Sequence, residues 1–293
     1  MSTPDELVFE IAFLRRNGKS GPRPEEIRRY LGQIEGIAAP RAGQSVYRYR
    51  NLDTQVSCDF VSYEPDHDCV GLSFEMELPR PLFFALETVP LVVQTAREFS
   101  LDVEIVSPDN DMPACEPSFE ILLHQWQLAN REEMEILEGE GRQIARLENQ
   151  ALEAMWEFML LRGELARRYN RSHVCVPPVE LVREKATGKV SRVVRWKRLS
   201  AAALADSDYC WLDEPPEPLR DGTLILSSVV REVAKFAFRD LSQPVNHRLF
   251  DKAKVQADLI KALRTAPGQP AEGFELLNYR DVVDRDLTPL LDG

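Results

Sequence analysis

The side chains best placed to do chemistry together are Asp66, His67, Asp68 and Cys69, which bring metal-binding and acid–base capacity into one short stretch. Adjacent residues in a turn rarely converge on one ion, and a zinc site draws its ligands from spaced pairs. No second cluster at suitable spacing supplies the missing ligands, so the stretch reads as a solvated acidic turn. His173 and Cys175 flank Val174 and would share one face of a strand. Two ligands are too few for zinc, and a buried free cysteine is a common core residue. Gly18-Lys19-Ser20-Gly21 holds a GKS triplet without the upstream glycine of a phosphate-cradling loop, so it reads as a turn. HExxH, GxSxG and GxGxxG do not occur. No metal and no cofactor are expected.

Carboxylates on strands are the more informative pattern. In Leu72–Leu78 the apolar Leu72, Phe74, Met76 and Leu78 alternate with Ser73, Glu75 and Glu77. In Leu101–Val106 the apolar Leu101, Val103 and Ile105 alternate with Asp102 and Glu104. Period-two alternation sends one set into a core and the other to the opposite face. Pro65-Asp66 followed by Glu75-Met76-Glu77 resembles metal-dependent nucleases, which place an Asp and a Glu on adjacent strands with a lysine nearby. Here Glu77 stands where that lysine would be, and an extra carboxylate raises its neighbours' pKa values instead of supporting an attacking hydroxide. Two carboxyls could also serve glycoside hydrolysis, but an open sheet face lacks the cleft that this reaction needs.

The elements that must position these carboxylates follow in order. Leu7–Leu14 fits a central strand, and from Pro24 the spacing of Ile27, Tyr30, Leu31 and Ile34 predicts a helix with Glu25 and Glu26 in its first turn. Val46–Arg50 and Gln55–Tyr63 read as strands around an Asn51–Thr54 turn. The strand at Leu72, a helix over Leu82–Phe99 and the strand at Leu101 complete the order strand, helix, strand, strand, helix, strand. That is the ferredoxin-like βαββαβ arrangement, with two helices on one sheet face. Its usual strand order would line Asp102 and Glu104, Glu10, Glu75 and Glu77, and Asp59 across the uncovered face, subject to register.

Ser107–Ser118, with Pro108, Pro113 and Pro117, reads as a linker into a long helical region, Phe119–Tyr169, with a break near Gly139–Gly141. Leu137, Ile144, Leu147, Ala151, Ala154, Phe158, Leu161 and Leu165 form a nearly heptad seam. It reads first as an internal spine and second as a homodimer seam over residues 137–165. Beyond Asn170, Val179–Arg183 and Val190–Trp196 flank a turn at Gly188, a hairpin rich in Arg and Lys. Further strands are expected at Asp208–Leu212, Thr223–Leu226 and Phe274–Tyr279. Helices are expected from Ser227 through Phe238 and from Leu249 to Arg264. The expected class is α+β, comprising an acidic ferredoxin-like domain (1–117), a long central helical segment (118–170) and a C-terminal α/β domain with a basic hairpin (171–293).

At 293 residues the chain has room for about two domains. Five cysteines, widely spaced and without CxxC, fit reduced thiols in a cytoplasm. The hydrophobic runs fall short of the ~20 residues of a membrane span, and the N-terminus has no Sec-signal pattern. The net charge of −12 is concentrated early, with 11 Lys and Arg against 21 Asp and Glu in residues 1–120, whereas residues 171–293 hold 19 against 18. Direct nucleic-acid binding by the N-terminal part is disfavoured, because phosphate neutralisation needs clustered cations. The basic hairpin reads as a surface ribbon, or as one docking onto acidic surface, in preference to a groove reader.

In its acidity, α/β make-up and lack of catalytic motifs the chain resembles the immunity proteins that bacteria keep in the cytosol to neutralise toxins. That resemblance is one of character across the chain and supplies no motif. It implies a non-catalytic protein-binding module that captures a basic toxin, for instance a nuclease, with Glu10, Asp59, Glu75, Glu77, Asp102 and Glu104 as the contact residues. The alternatives are an enzyme with a cleft site near His124, Trp126, Asn130 and Glu133, or a structural subunit of an assembly.

Overall fold

In the computed structural model, which describes residues 7–16, 21–38, 40, 44–66, 68–106, 113–250 and 256–286, the chain divides into two units. One is Met1–Ile144 with Asp286–Gly293, the other Ala145–Arg285. The first unit is built on β1 (Val8–Arg15), whose Phe9, Ile11 and Phe13 are buried. It continues through α1 (Pro24–Leu31), β2 (Ile37–Ala38), β3 (Val46–Arg50), β4 (Ser57–Ser62), β5 (Cys69–Glu77), α2 (Leu82–Glu98), β6 (Leu101–Val106) and α3 (Phe119–Gly139). Its six strands form one sheet in the order β2-β3-β4-β5-β1-β6, and every neighbouring pair is antiparallel.

The ferredoxin-like expectation fails on the make-up of this sheet. That arrangement has four strands, each helix joining two of them, whereas six strands form the sheet here, with β2 and β3 added at the edge beyond β4. The reason is an extra reversal: α1 leads into the added edge strands, and Val46–Arg50 and the segment after Asn51 are two strands of the sheet. The turn between them is built by Asn51, whose Oδ1 accepts from the Asp53 and Thr54 amides at 3.0 and 3.3 Å. Glu87 on α2 locks it in place, taking hydrogen bonds from the Tyr49 hydroxyl, the Asn51 amide and the Thr54 hydroxyl at 2.8, 2.8 and 3.1 Å.

The odd-numbered side chains of β1 and β6 and the even-numbered ones of β4 and β5 face α2. Phe60 stacks against Phe13 and meets Phe74 edge-on, with ring centroids 6.3 and 5.5 Å apart. Phe83, Phe84, Val89 and Val92 of α2 close this core. Each such aromatic or aliphatic side chain stabilises the fold by about 1.5–3 kcal/mol through burial. α3 is capped by Ser118, whose hydroxyl accepts from the Ile121 amide at 3.4 Å.

The long central helical segment is also corrected. α3 ends at Gly139 and α4 (Asn149–Tyr169) begins in the second unit, with strand β7 (Ala145–Leu147) between them. β7 pairs in parallel with a strand at Val282–Asp284. Leu147 therefore lies on a strand, and the nearly heptad series from Leu137 to Leu165 is not one helical seam. Phe158 and Leu165 are buried residues of α4. Heptad spacing across Gly139 and Gly141 is a coincidence of counting, since Gly141 adopts a left-handed φ of +80° that ends the helical path.

The second unit continues with β8 (Val179–Glu184), β9 (Val190–Lys197), β10 (Ala202–Ala205), β11 (Tyr209–Asp213), β12 (Thr223–Leu226), α5 (Ser227–Val233), β13 (Phe238–Leu241), β14 (His247–Phe250), α6 (Gln256–Arg264), β15 (Gly268–Pro270), β16 (Phe274–Leu277) and β17 (Val282–Asp284). A six-stranded sheet runs β15-β12-β11-β9-β8-β16, with β9 and β11 parallel and the remaining pairs antiparallel. A three-stranded sheet runs β10-β14-β13. The expected helix from Leu249 is shorter than its spacing suggests, because Leu249 belongs to β14; residues 251–255 lie outside the described residues.

The basic hairpin exists as β8 and β9, but in the middle of a sheet and with most of its cations paired to acids. Arg195 pairs with Glu180 at 2.6 Å and lies over the Trp211 ring at 4.1 Å. Lys197 and Arg198 share Glu214, Arg183 meets Glu275, and the buried Arg192 meets Asp208 at 3.3 Å. These pairs leave little field for phosphate, and the acids that answer them come from the same unit.

Candidate protein-binding face

On the sheet face of the first unit that points away from α2, strand pairing sets the carboxylates in order. Asp59 of β4 stands opposite Glu75 of β5, and Glu75 stands opposite Glu10 of β1. The same cross-strand row continues to Arg48 on β3 at one end and Val106 on β6 at the other. Glu77 lies two residues along β5, opposite Val8, while Asp102 and Glu104 lie on β6 opposite Leu14 and Ala12. Alternation and register thus bring all six sequence-picked carboxylates to one face.

Their electrostatic states differ. Arg48 grips Asp59 through two hydrogen bonds of 2.8 and 2.7 Å. Arg16 reaches Asp102 at 3.0 Å, and Arg80 meets Glu77. Exposed pairs of this kind contribute only about 0–1 kcal/mol each, but they remove half the set from the free negative field. Glu10, Glu75 and Glu104 have no ion pair among the described residues. Partial burial, with Glu10 on one side and Asp59 on the other, raises the Glu75 carboxyl above its ordinary range. Like charges directly opposite in a sheet oppose folding, so this row is held against its own repulsion.

Apolar surface is interleaved with the acids. Val8 and Val106 are 41% and 47% exposed, and both flank Glu10. Tyr63, 42% exposed, follows β4, and its hydroxyl stands 2.9 Å from the Cys69 thiol. The Tyr63 hydroxyl is itself raised, chiefly by partial burial and that thiol, with Glu10 and Glu75 adding to the effect. Sequence reading missed these three residues. The alternation that marked the acids also marked Val8 and Val106 as outward-facing, since they break it with an apolar side chain.

Replacing the central acid tests the repulsion. Glu75→Gln keeps the size and the weak Ser73 contact while removing the charge. At pH 7 it should stabilise the protein by up to about 1 kcal/mol in urea unfolding. The folded-state pKa of Glu75 is raised, so the wild-type penalty builds as pH rises from the unfolded carboxylate value through the folded one. The gain from Glu75→Gln should therefore vanish at acid pH, and a gain that persists there would refute the electrostatic account.

The other candidates are not brought together. Asp66 and Asp68 are exposed, His67 lies outside the described residues, and Cys69 is turned to Tyr63 and to the Phe13 carbonyl. His173 sits in a left-handed turn and not on a strand, with Cys175 exposed. Among the described residues no three His, Cys, Asp or Glu side chains are grouped as a metal site would need. Gly18, Lys19 and Ser20 and the start of the Ser107–Ser118 linker lie outside the described residues. On α3, Trp126, Asn130 and Glu133 are buried, and both halves of the Asn130 amide are committed to the Arg80 backbone at 2.8 and 2.9 Å. Asn130 is therefore a structural clamp. No described helix is long and apolar enough to cross a membrane. No family model, curated protein or solved structure matches this chain.

Proposed function

We propose that the chain is a non-catalytic protein-binding module whose acidic sheet face captures a basic protein, in the manner of a cytoplasmic immunity protein that occludes a toxin. The observation that carries this reading is the Asp59–Glu75–Glu10 row. It keeps two carboxylates without an internal cation on an open surface, at a cost to folding, with apolar Val8 and Val106 beside them. Charge of one sign speeds and orients encounter with a cationic partner, and desolvated apolar contacts at the centre of a patch supply affinity. All five cysteines are unbridged, which suits a reducing compartment. The mechanism is steric occlusion combined with competition against phosphate for the partner's basic groups.

The test uses capture of binding proteins from the native cells on the wild-type chain and on Glu10→Lys/Glu75→Lys in parallel. The wild type should retain a basic protein whose association is slowed at least about tenfold by the double reversal at low salt. The salt dependence of the rate should flatten with it. Equal rates for the two chains would remove the acidic face from the account.

A further inference from the structure

We propose that Arg131, together with His124 and Gln127 on one flank of α3, forms a receptor for a small oxyanion, a carboxylate or a phosphoryl group. This goes beyond the acidic face and does not depend on it. Among the described residues, six buried side-chain nitrogen and oxygen atoms lack a hydrogen-bond partner, and five of them are on α3. Four belong to this flank: Nδ1 of His124, Oε1 of Gln127, and Nε and Nη2 of Arg131. The spacing of 124, 127 and 131 places all three on the same side of a helix.

Chemistry narrows the ligand. Nε and Nη2 are the two nitrogens on one edge of a guanidinium, and their parallel N–H bonds match the two oxygens of a carboxylate or phosphate. Arg131 is half-buried, and leaving that buried edge of its guanidinium unused is costly, more so than a neutral orphan. An oxyanion satisfies both donors at once and supplies the missing charge. Its remaining lone pairs can take the His124 Nδ1–H of one tautomer and, after half a turn of the amide, the Gln127 Nε2–H. A cation would meet Arg131 with repulsion, and an apolar group would leave all four atoms unsatisfied.

The full-length protein is titrated with sodium phosphate and separately with sodium acetate, against chloride at matched ionic strength. Melting temperature and the Arg131 Nε–H NMR signal are followed, with assignment by Arg131→Lys. A saturable response to phosphate identifies a phosphoryl ligand, and one to acetate a carboxylate; either supports the proposal. Arg131→Lys keeps the charge but loses the two-pronged edge, and should weaken binding about tenfold or more. Arg131→Met should abolish the response and raise the melting temperature in oxyanion-free buffer by about 2–4 °C, because it removes a guanidinium edge buried without a partner. The proposal is overturned by no saturable response to either ion, by a response that survives Arg131→Met, or by a lower melting temperature of Arg131→Met in oxyanion-free buffer. Crystal structures in phosphate and in acetate that both show only ordered water along this flank would overturn it too.

Discussion

Asn130→Asp should cost about 3 kcal/mol of folding stability at pH 7 and far less near pH 4. The amide of Asn130 is fully buried, accepting the Arg80 backbone N–H at 2.8 Å and donating to the Arg80 carbonyl at 2.9 Å. An ionised Asp has almost the same shape but only accepts. It would keep the first bond, set a carboxylate oxygen against the Arg80 carbonyl, and bury a charge. Protonated, the same side chain again offers one acceptor and one donor, the pattern of the amide. Burial raises its folded-state pKa above the unfolded value of about 3.9. The loss should therefore be complete above the folded pKa and fade as pH falls through it. Urea unfolding of variant and wild type at the two pH values measures this directly. A pH-independent loss would mean that the amide acts through shape and not through its paired hydrogen bonds. The experiment also bears on catalysis, since a residue spent on holding the β5–α2 connection is not free to act on a substrate.

The second large effect is at Gly71, where alanine should cost about 2–4 kcal/mol. Gly71 has φ +75°, and an added Cβ would lie 2.4 Å from the Tyr63 carbonyl oxygen and 3.0 Å from the Pro65 nitrogen. Those neighbours are backbone, so the strain cannot be relieved by a rotamer change. The position matters to the acidic face because β1 and β5 change register there. Ala12 pairs with Ser73 but Leu14 pairs with Cys69, so β5 carries extra residues around Gly71. That bulge brings Tyr63 beside Cys69, Glu10 and Glu75. Gly71→Ala should therefore also speed hydrogen exchange of the Tyr63 amide, which donates to the Gly71 carbonyl at 2.9 Å. Unchanged exchange together with a small stability loss would show that the bulge tolerates an ordinary residue.

A good part of the face was legible in the sequence because period-two alternation is a local property. Phe9, Ile11 and Phe13 against Glu10, and Phe74 and Met76 against Glu75 and Glu77, require no knowledge of partners to separate in from out. Helix ends were legible for the same reason, with Pro81 before α2 and Ser118 before α3. The split at Asn51 was visible as well, yet its consequence for the sheet was not. The additional reversal adds strands at one edge beyond β4, and that placement enters only when the whole sheet is assembled. The helical seam failed through the opposite error, a regular spacing carried across two glycines and a short strand.

The chain's own letters settled which side chains face outward, that the N-terminal part is acidic, and that the familiar catalytic and phosphate-binding motifs are missing. Tertiary structure decided which acids are still free. Arg16 finds Asp102 across 86 positions of sequence, Arg48 takes Asp59 across a strand pair, and Glu10 and Glu75 meet each other instead of a cation. Alternation is fixed by the geometry of each residue and its neighbours, whereas charge pairing depends on which strands lie side by side. That choice is made by long-range packing, and no local pattern encodes it.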